Sequence, residues 1–577
     1  MNRQQDLFEK QQKGAGTQGP SQVIQALLGN ALWHHQAGRW TEAERIYRQI
    51  LAVDAQHADS LHLLGMIAYQ AGRHDAAAEM IRKAIAINEK EAAYHSNLGI
   101  VLQAQGRLDE AAACYERALA LKPDSVEVHI NFGNILEAQG KLDEAVACQE
   151  RALALKPDCA EAHSNLGNLR QAQDQRDEAV VCYERALALK PDYAEAHGNL
   201  GNALQVQGKL DEAVACYERA LALKPDYAKA HHNLGCVLYS LGNLDEALVR
   251  QRRALALQPG YSQARFSESL AQLSKGDFSA GWRNYESRWQ TPEHNTPMRA
   301  YPQPLWTGEE LAPGRLLIWG EQGVGDEIMF AGLIPDVIRT GNRCILDCDA
   351  RLKPLFVRSF PGIDVVSGHN PGHDPELDIA AHLPSGSLPG LFRATDTAFA
   401  ATTSPYLIAD PVERERFRTR YADGRRLVGL AWHTNNRKTG RNRSIDLPLL
   451  AAPFAPLFAR PDIRWISLQY GDHDALEDQV AAARAPILID RAVHQFSDID
   501  VFAAQIAAMD LVITIDNSTA HLAGALGVPV WLLLPFAPDW RWLRARERSP
   551  WYPTMRLFRQ PKLGDWQSVV QRVQSVF

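Results

Sequence analysis

Residues 194–227 read A-E-A-H-G-N-L-G-N-A-L-Q-V-Q-G-K-L-D-E-A-V-A-C-Y-E-R-A-L-A-L-K-P-D-Y, and this 34-residue unit decides the fold of the first half of the chain. Small residues recur at the unit length, with glycine at Gly65, Gly99, Gly133, Gly167, Gly201 and Gly235 and alanine at Ala111, Ala145, Ala179, Ala213 and Ala247. A proline ends each unit, at Pro123, Pro157, Pro191, Pro225 and Pro259. This period predicts helix–turn–helix units that stack because no single unit can bury its own apolar face.

A 34-residue period with these marks is typical of tetratricopeptide repeats. We predict seven repeats over residues 24–261, preceded by a Gln- and Gly-rich, disordered segment at 1–22. Capping helices and a Pro-rich linker are expected over 262–312. There, Trp282, Tyr285 and Trp289 are spaced three and four residues apart, which forms one apolar stripe on a helix. We expect this stripe to dock on a neighbouring domain.

An asparagine occupies one fixed position of five repeats, at Asn97, Asn131, Asn165, Asn199 and Asn233. A second row lies one helical turn further along, at Asn134, Asn168 and Asn202. A carboxamide carries a donor and an acceptor together, which suits it to holding a peptide bond without reading a side chain. The rows therefore favour a groove that binds an extended protein acceptor. The alternative is that the asparagines only satisfy polar groups between repeats.

Cysteine and histidine recur at the same period, at Cys114, Cys148, Cys182 and Cys216 and at His95, His129, His163, His197 and His231. Their regular positions indicate packing between helices rather than disulfides or metal ligands. No metal site and no cofactor are expected.

The composition is that of an ordinary soluble protein, with 46% hydrophobic residues and a net charge of −7 over 577 residues. The acidic balance argues against general nucleic-acid binding. The first residues lack an apolar core, and the longest apolar run is too short to cross a bilayer. These features predict a cytoplasmic protein without a membrane span.

From residue 313 the period vanishes, and short apolar runs alternate with helical stretches. This alternation predicts parallel sheets with crossover helices, in two Rossmann-like domains at 313–410 and 425–577. The fold class is therefore an α repeat array followed by α/β. Ligands of such domains bind at the carboxyl ends of the strands.

Three loops at predicted strand ends carry candidate chemistry. The first, G-E-Q-G-V-G-D-E-I, contains Gly325 and Asp326, and Asp326 either acts as a general base or caps its helix. The second, W-H-T-N-N-R-K-T-G-R-N-R-S, is either a solvated loop or a clamp for a diphosphate, with Arg437, Lys438, Arg441 and Arg443 as its cations.

The third loop, I-T-I-D-N-S-T-A-H, ends a buried strand and opens a helix rich in Ala and Gly. Free N–H groups at a helix start, together with hydroxyl donors, suit phosphate oxygens. The candidate donor-binding residues here are Asp516, Asn517, Ser518, Thr519 and His521, with a structural role for His521 as the alternative.

Together the three loops resemble the bacterial heptosyltransferase-like glycosyltransferases of family 9, and the likeness spans residues 313–577. The resemblance implies a GT-B pair of domains, with Asp326 as catalytic base. It also implies that Lys438, Arg441 or Arg443 contacts the donor diphosphate, and that Asp516 and His521 belong to the donor loop. Asn517 and Ser518 depart from the family pattern. The repeat half resembles that of protein O-GlcNAc transferases, whose asparagine ladder holds acceptor protein.

These observations predict a metal-independent glycosyltransferase that moves a sugar from a nucleotide-diphosphate donor to a hydroxyl of a protein held by the repeats. One alternative is an enzyme acting on a glycan or lipid-linked saccharide, with the repeats serving assembly. The other is a non-catalytic scaffold that binds nucleotide sugar. The nucleotide, the sugar, the acceptor and the oligomeric state stay open.

Overall fold

The computed structural model describes residues 20–292, 294, 296–311, 313–368, 378–402, 404–434, 445 and 447–577. Residues 1–19 of the segment expected to be disordered lie outside this description, and the first helix begins at Pro20. The chain divides into two compact units, residues 1–207 and 208–577. Within the described residues, every helix is too short or too polar to traverse a lipid bilayer.

The first unit consists of antiparallel helix pairs whose bounds recur with the sequence period. Its helices are α1 (Pro20–Gln36), α2 (Trp40–Val53), α3 (Ala58–Gln70), α4 (His74–Ile87), α5 (Ala92–Ala104), α6 (Leu108–Leu121), α7 (Val126–Ala138), α8 (Leu142–Leu155), α9 (Ala160–Ala172), α10 (Arg176–Leu189) and α11 (Ala194–Val206). Within this unit, the apolar faces of neighbouring helices pack together in shared clusters. The predicted α fold of this half is confirmed.

Glycine recurs at two kinds of position in the pairs. A Cβ on Gly99 would lie 2.8 Å from the ring of Tyr115, and one on Gly167 would lie 2.6 Å from the ring of Tyr183. Only glycine lets the two helices approach this closely. The turn between the helices needs a left-handed residue, which is Gly140 (φ +76°) in one repeat and Asp174 (φ +61°) in the next.

Successive pairs are also joined by a repeated polar bond. The side-chain amide at the end of one repeat's first helix donates to the aspartate that begins the second helix of the preceding repeat. The bonds are Gln105 to Asp75 (2.8 Å), Gln139 to Asp109 (2.9 Å), Gln173 to Asp143 (2.7 Å) and Gln207 to Asp177 (2.7 Å). We call these bonds the Gln–Asp series.

The second unit begins with further repeat helices, α12 (Leu210–Leu223), α13 (Ala228–Ser240) and α14 (Leu244–Leu257). They are followed by α15 (Ser262–Lys275), α16 (Phe278–Tyr285) and a 3-10 helix at Glu286–Gln290. We call residues 278–290 the cap. Trp282 and Tyr285 of the cap are buried, and the ring of Trp282 lies 5.2 Å from that of Trp540 in an edge-to-face arrangement. The aromatic stripe therefore docks on the α/β part, as expected.

The first parallel sheet has the order β3-β2-β1-β4, with β1 (Arg315–Trp319), β2 (Cys344–Asp347), β3 (Asp364–Val366) and β4 (Ile379–Pro384). Its helices are α17 (Val324–Ala331), α18 (Ile334–Ile338), α19 (Lys353–Ser359) and α20 (Leu388–Phe392), and α21 (Pro411–Tyr421) leads to the second sheet. The strand order reverses between β1 and β4, which is where a sheet of this kind opens a crevice.

The second parallel sheet has the order β10-β9-β8-β5-β6-β7. Its strands are β5 (Arg426–Leu430), β6 (Ile463–Ser467), β7 (Ile487–Leu488), β8 (Leu511–Ile515), β9 (Val530–Leu534) and β10 (Met555–Arg559). Its helices are α22 (Leu447–Phe458), α23 (His473–Ala482), α24 (Ile499–Ala507), α25 (Ser518–Ala525) and α26 (Trp566–Val576). Renumbered within the sheet, this is the Rossmann order 3-2-1-4-5-6, with its reversal between β5 and β8. The predicted α/β class of this half is confirmed.

Candidate functional site

The loops that follow β1 and β4 meet where the order of the first sheet reverses. Glu321, in the loop after β1, is 2% exposed. Its Oε1 accepts the backbone N–H of Gly386, in the turn after β4, at 2.8 Å. One buried carboxylate therefore holds the two sides of this crevice together, immediately before Gly325 and Asp326.

The corresponding crevice of the second sheet lies between the loops after β5 and β8. Gln469, buried at the end of β6, accepts the backbone N–H groups of Trp432 (2.9 Å) and His433 (2.8 Å) and donates to the carbonyl of His433 (3.1 Å). This bonding holds the start of the basic loop at the crevice. The cations of that loop, Arg437, Lys438, Arg441 and Arg443, lie outside the described residues.

Asn517 builds the start of helix α25. Its Oδ1 accepts the backbone N–H of Ala520 at 3.2 Å and the hydroxyl of Thr514 at 3.1 Å. Among the described residues, Asn517 Nδ2 and Thr519 Oγ1 are buried and have no hydrogen-bond partner. Asp516 is also buried, while Ser518 is half-buried. The Asn517 side chain is therefore held in place through its Oδ1, while two buried polar atoms at the start of the helix make no hydrogen bond with the described part of the protein.

His521 lies between the two sheets. Its Nδ1 is 2.9 Å from the Tyr552 hydroxyl, and its ring stacks on Trp542 at 5.1 Å. A Cβ on Gly325 would lie 3.3 Å from His521 Cδ2 and 3.8 Å from Ser518 Cα. The segment after β1 in the first sheet and the segment after β8 in the second sheet are thus in contact.

Asp326 does not cap its helix. Helix α17 has Gly323 at its N-cap position without a side-chain bond, and Asp326 is instead paired with Arg541, whose Nη2 donates to Oδ1. Arg541 Nη1 also donates to Asp539 at 2.6 Å. Burial raises the pKa of Asp326 above that of an ordinary aspartate, although the Arg541 guanidinium opposes this rise. About one fifth of the Asp326 side chain remains exposed.

The cap reaches the same loops. Arg288 is completely buried and forms a bidentate ion pair with Glu321, in which Nε and Nη2 each lie 2.8 Å from a carboxylate oxygen. Gln322 Nε2 donates to the Tyr285 hydroxyl at 3.1 Å. The repeat end of this unit therefore contacts the glycine loop that carries Asp326.

Two carboxylates with Asp-x-Asp spacing, Asp347 and Asp349, end strand β2. Asp347 is paired with Arg299, and Asp349 Oδ2 lies 2.7 Å from Arg351 Nη2. Both carboxylates are therefore engaged by arginines of the protein.

Sequence reasoning did not identify Glu321, Arg288, Gln469 or Arg541. Arg541 belongs to the segment D-W-R-W after β9, and its only sequence signal is a charge among aromatic residues. Arg288 lies beside the predicted aromatic stripe, and Glu321 lies inside the glycine loop. Each has its partner far away in the chain, so no local pattern could have revealed its role.

The two asparagine rows are bonded to each other in the first unit. Asn165 Nδ2 donates to Asn134 Oδ1, and Asn199 Nδ2 donates to Asn168 Oδ1, both at 2.9 Å. At the amino-terminal end, Asn97 Nδ2 lies 2.7 Å from His62 Nε2. The first row is half-buried, and Asn165 and Asn199 each retain Oδ1 and the second amide hydrogen.

The periodic histidines have a clear structural role. Each Nε2 lies 2.9–3.1 Å from the backbone carbonyl six residues earlier, in the turn between repeats. The sequence interpretation as packing residues was thus incomplete, because these rings also satisfy a turn carbonyl. The periodic cysteines are of intermediate exposure, and Cys114, Cys148 and Cys182 pack beside the helix cores.

Comparison with known proteins identifies the repeats. Tetratricopeptide repeat models match residues 22–90, 90–158, 124–192, 182–215 and 228–261, and a TPR repeat model matches 206–242. Protein FlbA of Caulobacter vibrioides is 30% identical over 334 residues, which cover 54% of this chain and 54% of FlbA. The chain thus spans about half the length of this curated relative.

Similar solved structures include YrrB, described as a TPR protein with an unusual peptide-binding site, and MamA. YrrB is 27% identical over 33% of this chain and 100% of its own, with a TM-score of 0.28. MamA is 27% identical over 28% of this chain and 95% of its own, with a TM-score of 0.26. The matches to the repeat models establish that the first part of the chain, residues 22–261, is built of tetratricopeptide repeats.

Proposed function

We propose that this protein is a glycosyltransferase with a GT-B pair of domains. It transfers a sugar from a nucleotide-diphosphate donor to a hydroxyl of a polypeptide acceptor bound by the repeats.

The observation that carries the proposal is the meeting of two crevices. Each sheet reverses its strand order at one point, and ligands of such sheets bind outside the strand ends at that point. Gly325 from the first crevice lies against Ser518 and His521 from the second. A ligand that is part nucleotide and part sugar suits a cleft with one Rossmann-like crevice on each side.

The chemistry follows from the groups at this meeting point. Asp326 takes the proton of the acceptor hydroxyl as its oxygen bonds to the anomeric carbon of the sugar, while the bond from that carbon to the diphosphate breaks. A carboxyl whose pKa is raised by burial is a stronger base than an ordinary aspartate, which suits this role. The start of helix α25 and the basic loop stabilise the departing diphosphate.

The asparagine rows support a polypeptide acceptor. The bond from Asn165 to Asn134 fixes the orientation of the Asn165 carboxamide, and Asn199 is fixed in the same way by Asn168. The remaining amide hydrogen and Oδ1 of Asn165 and Asn199 match the carbonyl and N–H of a peptide bond. Orientation in advance lowers the entropic cost of binding an extended chain.

Donor hydrolysis tests the proposal directly. The full-length protein is incubated with a panel of nucleotide sugars, and release of nucleoside diphosphate is measured beside the Asp326→Asn variant. We expect turnover with one donor class in the unmodified protein and little in the variant. Binding of a nucleotide sugar without turnover under any condition would favour the scaffold alternative. Absence of both binding and turnover would reject the proposal.

A further inference from the structure

The cap contacts both sides of the candidate active site. On the side of the first sheet, Arg288 forms the bidentate pair with Glu321, and Tyr285 accepts a hydrogen bond from Gln322. These two loop residues lie four to five positions before Asp326. The cap therefore holds the beginning of the segment that delivers the proposed base.

The cap also holds the neighbouring turn after β4. Arg288 Nη2 donates to Ser387 Oγ at 3.0 Å, and Ser387 Oγ lies 2.7 Å from Glu286 Oε1. Glu321 accepts the backbone N–H of Gly386 in the same turn. Both loops of the first crevice are thus bonded to one buried arginine that the α/β fold does not itself supply.

On the side of the second sheet, the cap packs on the segment that carries Arg541. The rings of Tyr285 and Trp540 lie 5.7 Å apart. The Arg541 guanidinium lies 4.5 Å from the centre of the Trp540 ring, and it is paired with both Asp326 and Asp539. Tyr285 is therefore linked to Asp326 by a chain of contacts through Trp540 and Arg541, and it is also bonded to Gln322, four residues before Asp326.

We propose that Arg288 and Tyr285 are positioning residues of the transferase site, so that the cap at the end of the repeats completes the site and the α/β part alone is not a competent enzyme. This inference rests on the proposed function. It assigns no contact with substrate to either residue. Their role is to hold the loop 320–326 in the geometry that Asp326 needs, since a small displacement of a catalytic group lowers the rate strongly.

Two sets of variants of the full-length protein test this role. Tyr285→Phe removes only the hydroxyl that Gln322 contacts. Arg288→Met combined with Glu321→Gln removes the buried charges together, which avoids an unpaired buried charge and keeps an acceptor for Gly386. Each has a matched control in the same unit.

The matched controls share the chemistry but do not contact the loop. Tyr421→Phe removes a buried hydroxyl that is bonded to Asp490 and Gln505. Arg393→Met combined with Asp336→Asn removes a buried ion pair of 2.8 Å. The controls show how much stability is lost when a buried hydroxyl or a buried ion pair is removed at a place that does not contact the loop.

Two readouts separate positioning from stability. We expect kcat of donor hydrolysis to fall about three- to tenfold in Tyr285→Phe and at least about thirtyfold in the Arg288 and Glu321 double variant, with donor KM within about twofold, whereas the controls keep kcat. Hydrogen exchange of the amides of residues 320–326 should be at least about tenfold faster in the double variant than in its control.

Each outcome is decisive. Folded cap variants whose kcat and loop exchange match their controls overturn the inference. If the unmodified protein shows no turnover with any donor, the proposed function fails. The exchange measurement then still decides whether the cap holds the loop.

Discussion

The repeat region and the α/β region both contain many polar side chains, but they use them in opposite ways. In the repeats, one bond geometry returns every 34 residues with a partner nearby in the chain, as in the histidine bonds to the carbonyl six residues earlier. In the α/β region, Asp326 pairs with Arg541, 215 residues away, and Arg288 pairs with Glu321, 33 residues away.

The difference predicts how each region responds to substitution. Equivalent residues of a repeat array share one function, and each contact contributes only a small binding free energy. Substituting one of them therefore removes only part of the function, because the equivalent residues in the other repeats still act. A buried site built from unique pairs is lost at once, because each group there has no substitute. The following predictions test this contrast, from the largest expected effect to the smallest.

The largest effect is expected for Asp326→Asn. The carboxamide keeps the size of the side chain but cannot accept the proton, so transfer should fall at least about a hundredfold while the donor still binds. Turnover and calorimetric donor titration are measured beside Asp478→Asn, the same change at an exposed position of α23. Full turnover in the folded variant would show that Asp326 is not the base.

A smaller, divided effect is expected in the repeats. Replacing Asn131, Asn165 and Asn199 together with alanine removes three proposed contacts with a bound peptide, each contributing roughly 0.5–1.5 kcal/mol to binding. The net loss of binding free energy is smaller than their sum, because bonds such as that of Asn165 are already made in the free protein. We expect the apparent KM for a protein acceptor to rise about ten- to thirtyfold, with unchanged donor hydrolysis.

The matched triple variant replaces Arg117, Arg151 and Arg185, which are exposed on the second helices, with alanine. Circular dichroism must first show that the asparagine variant retains its helices. If that folded variant modifies protein acceptors as well as the unmodified protein does, the acceptor binds elsewhere.

The contrast also explains how much the sequence could predict. The period predicted the helix pairs and the asparagine rows, because every relevant contact is local or recurs at 34 residues. The alternation of apolar runs predicted parallel sheets. The contact of Gly325 with Ser518 and His521 was not predicted, because it depends on how the two sheets pack against each other. Arg541 and Arg288 were missed, because a partner on a distant loop leaves no trace in the spacing of neighbouring residues.

A pH-dependent effect is expected at Glu327, next to the proposed base. Burial raises the pKa of this carboxyl to about 7, and the bond from the backbone N–H of Asp349 opposes the rise only in part. The folded protein therefore holds a proton that the unfolded chain releases near the ordinary value of 4.5, so stability falls as pH rises from about 4.5 to 7.

Glu327→Gln should remove this loss. We expect the variant to be up to about 3 kcal/mol more stable than the unmodified protein above pH 7, and equally stable near pH 4. Denaturant unfolding across this range measures the difference, with the exposed Glu310→Gln as control. An equal gain at every pH would mean that the charge of Glu327 is not its source.

The smallest effect is expected for a single periodic histidine. His163→Ala removes one bond of 3.0 Å to the Pro157 carbonyl, at a position open to water, and should cost about 0.5–1 kcal/mol. Thermal unfolding is compared with Asp158→Ala in the same turn. A loss several times larger would show that the histidines act together rather than one repeat at a time.

The Gln–Asp series has a consequence for how this chain can evolve. Because every bond joins one repeat to the one before it with the same two residue types, a duplicated copy of residues 160–193 brings both halves of a new bond with it. Insertion or deletion of a whole unit leaves no broken link, whereas any other length change does. The array can therefore be lengthened or shortened in whole steps of 34 residues. Each step changes the length of the repeat surface by the same amount, so that length is set by the number of repeats in the gene.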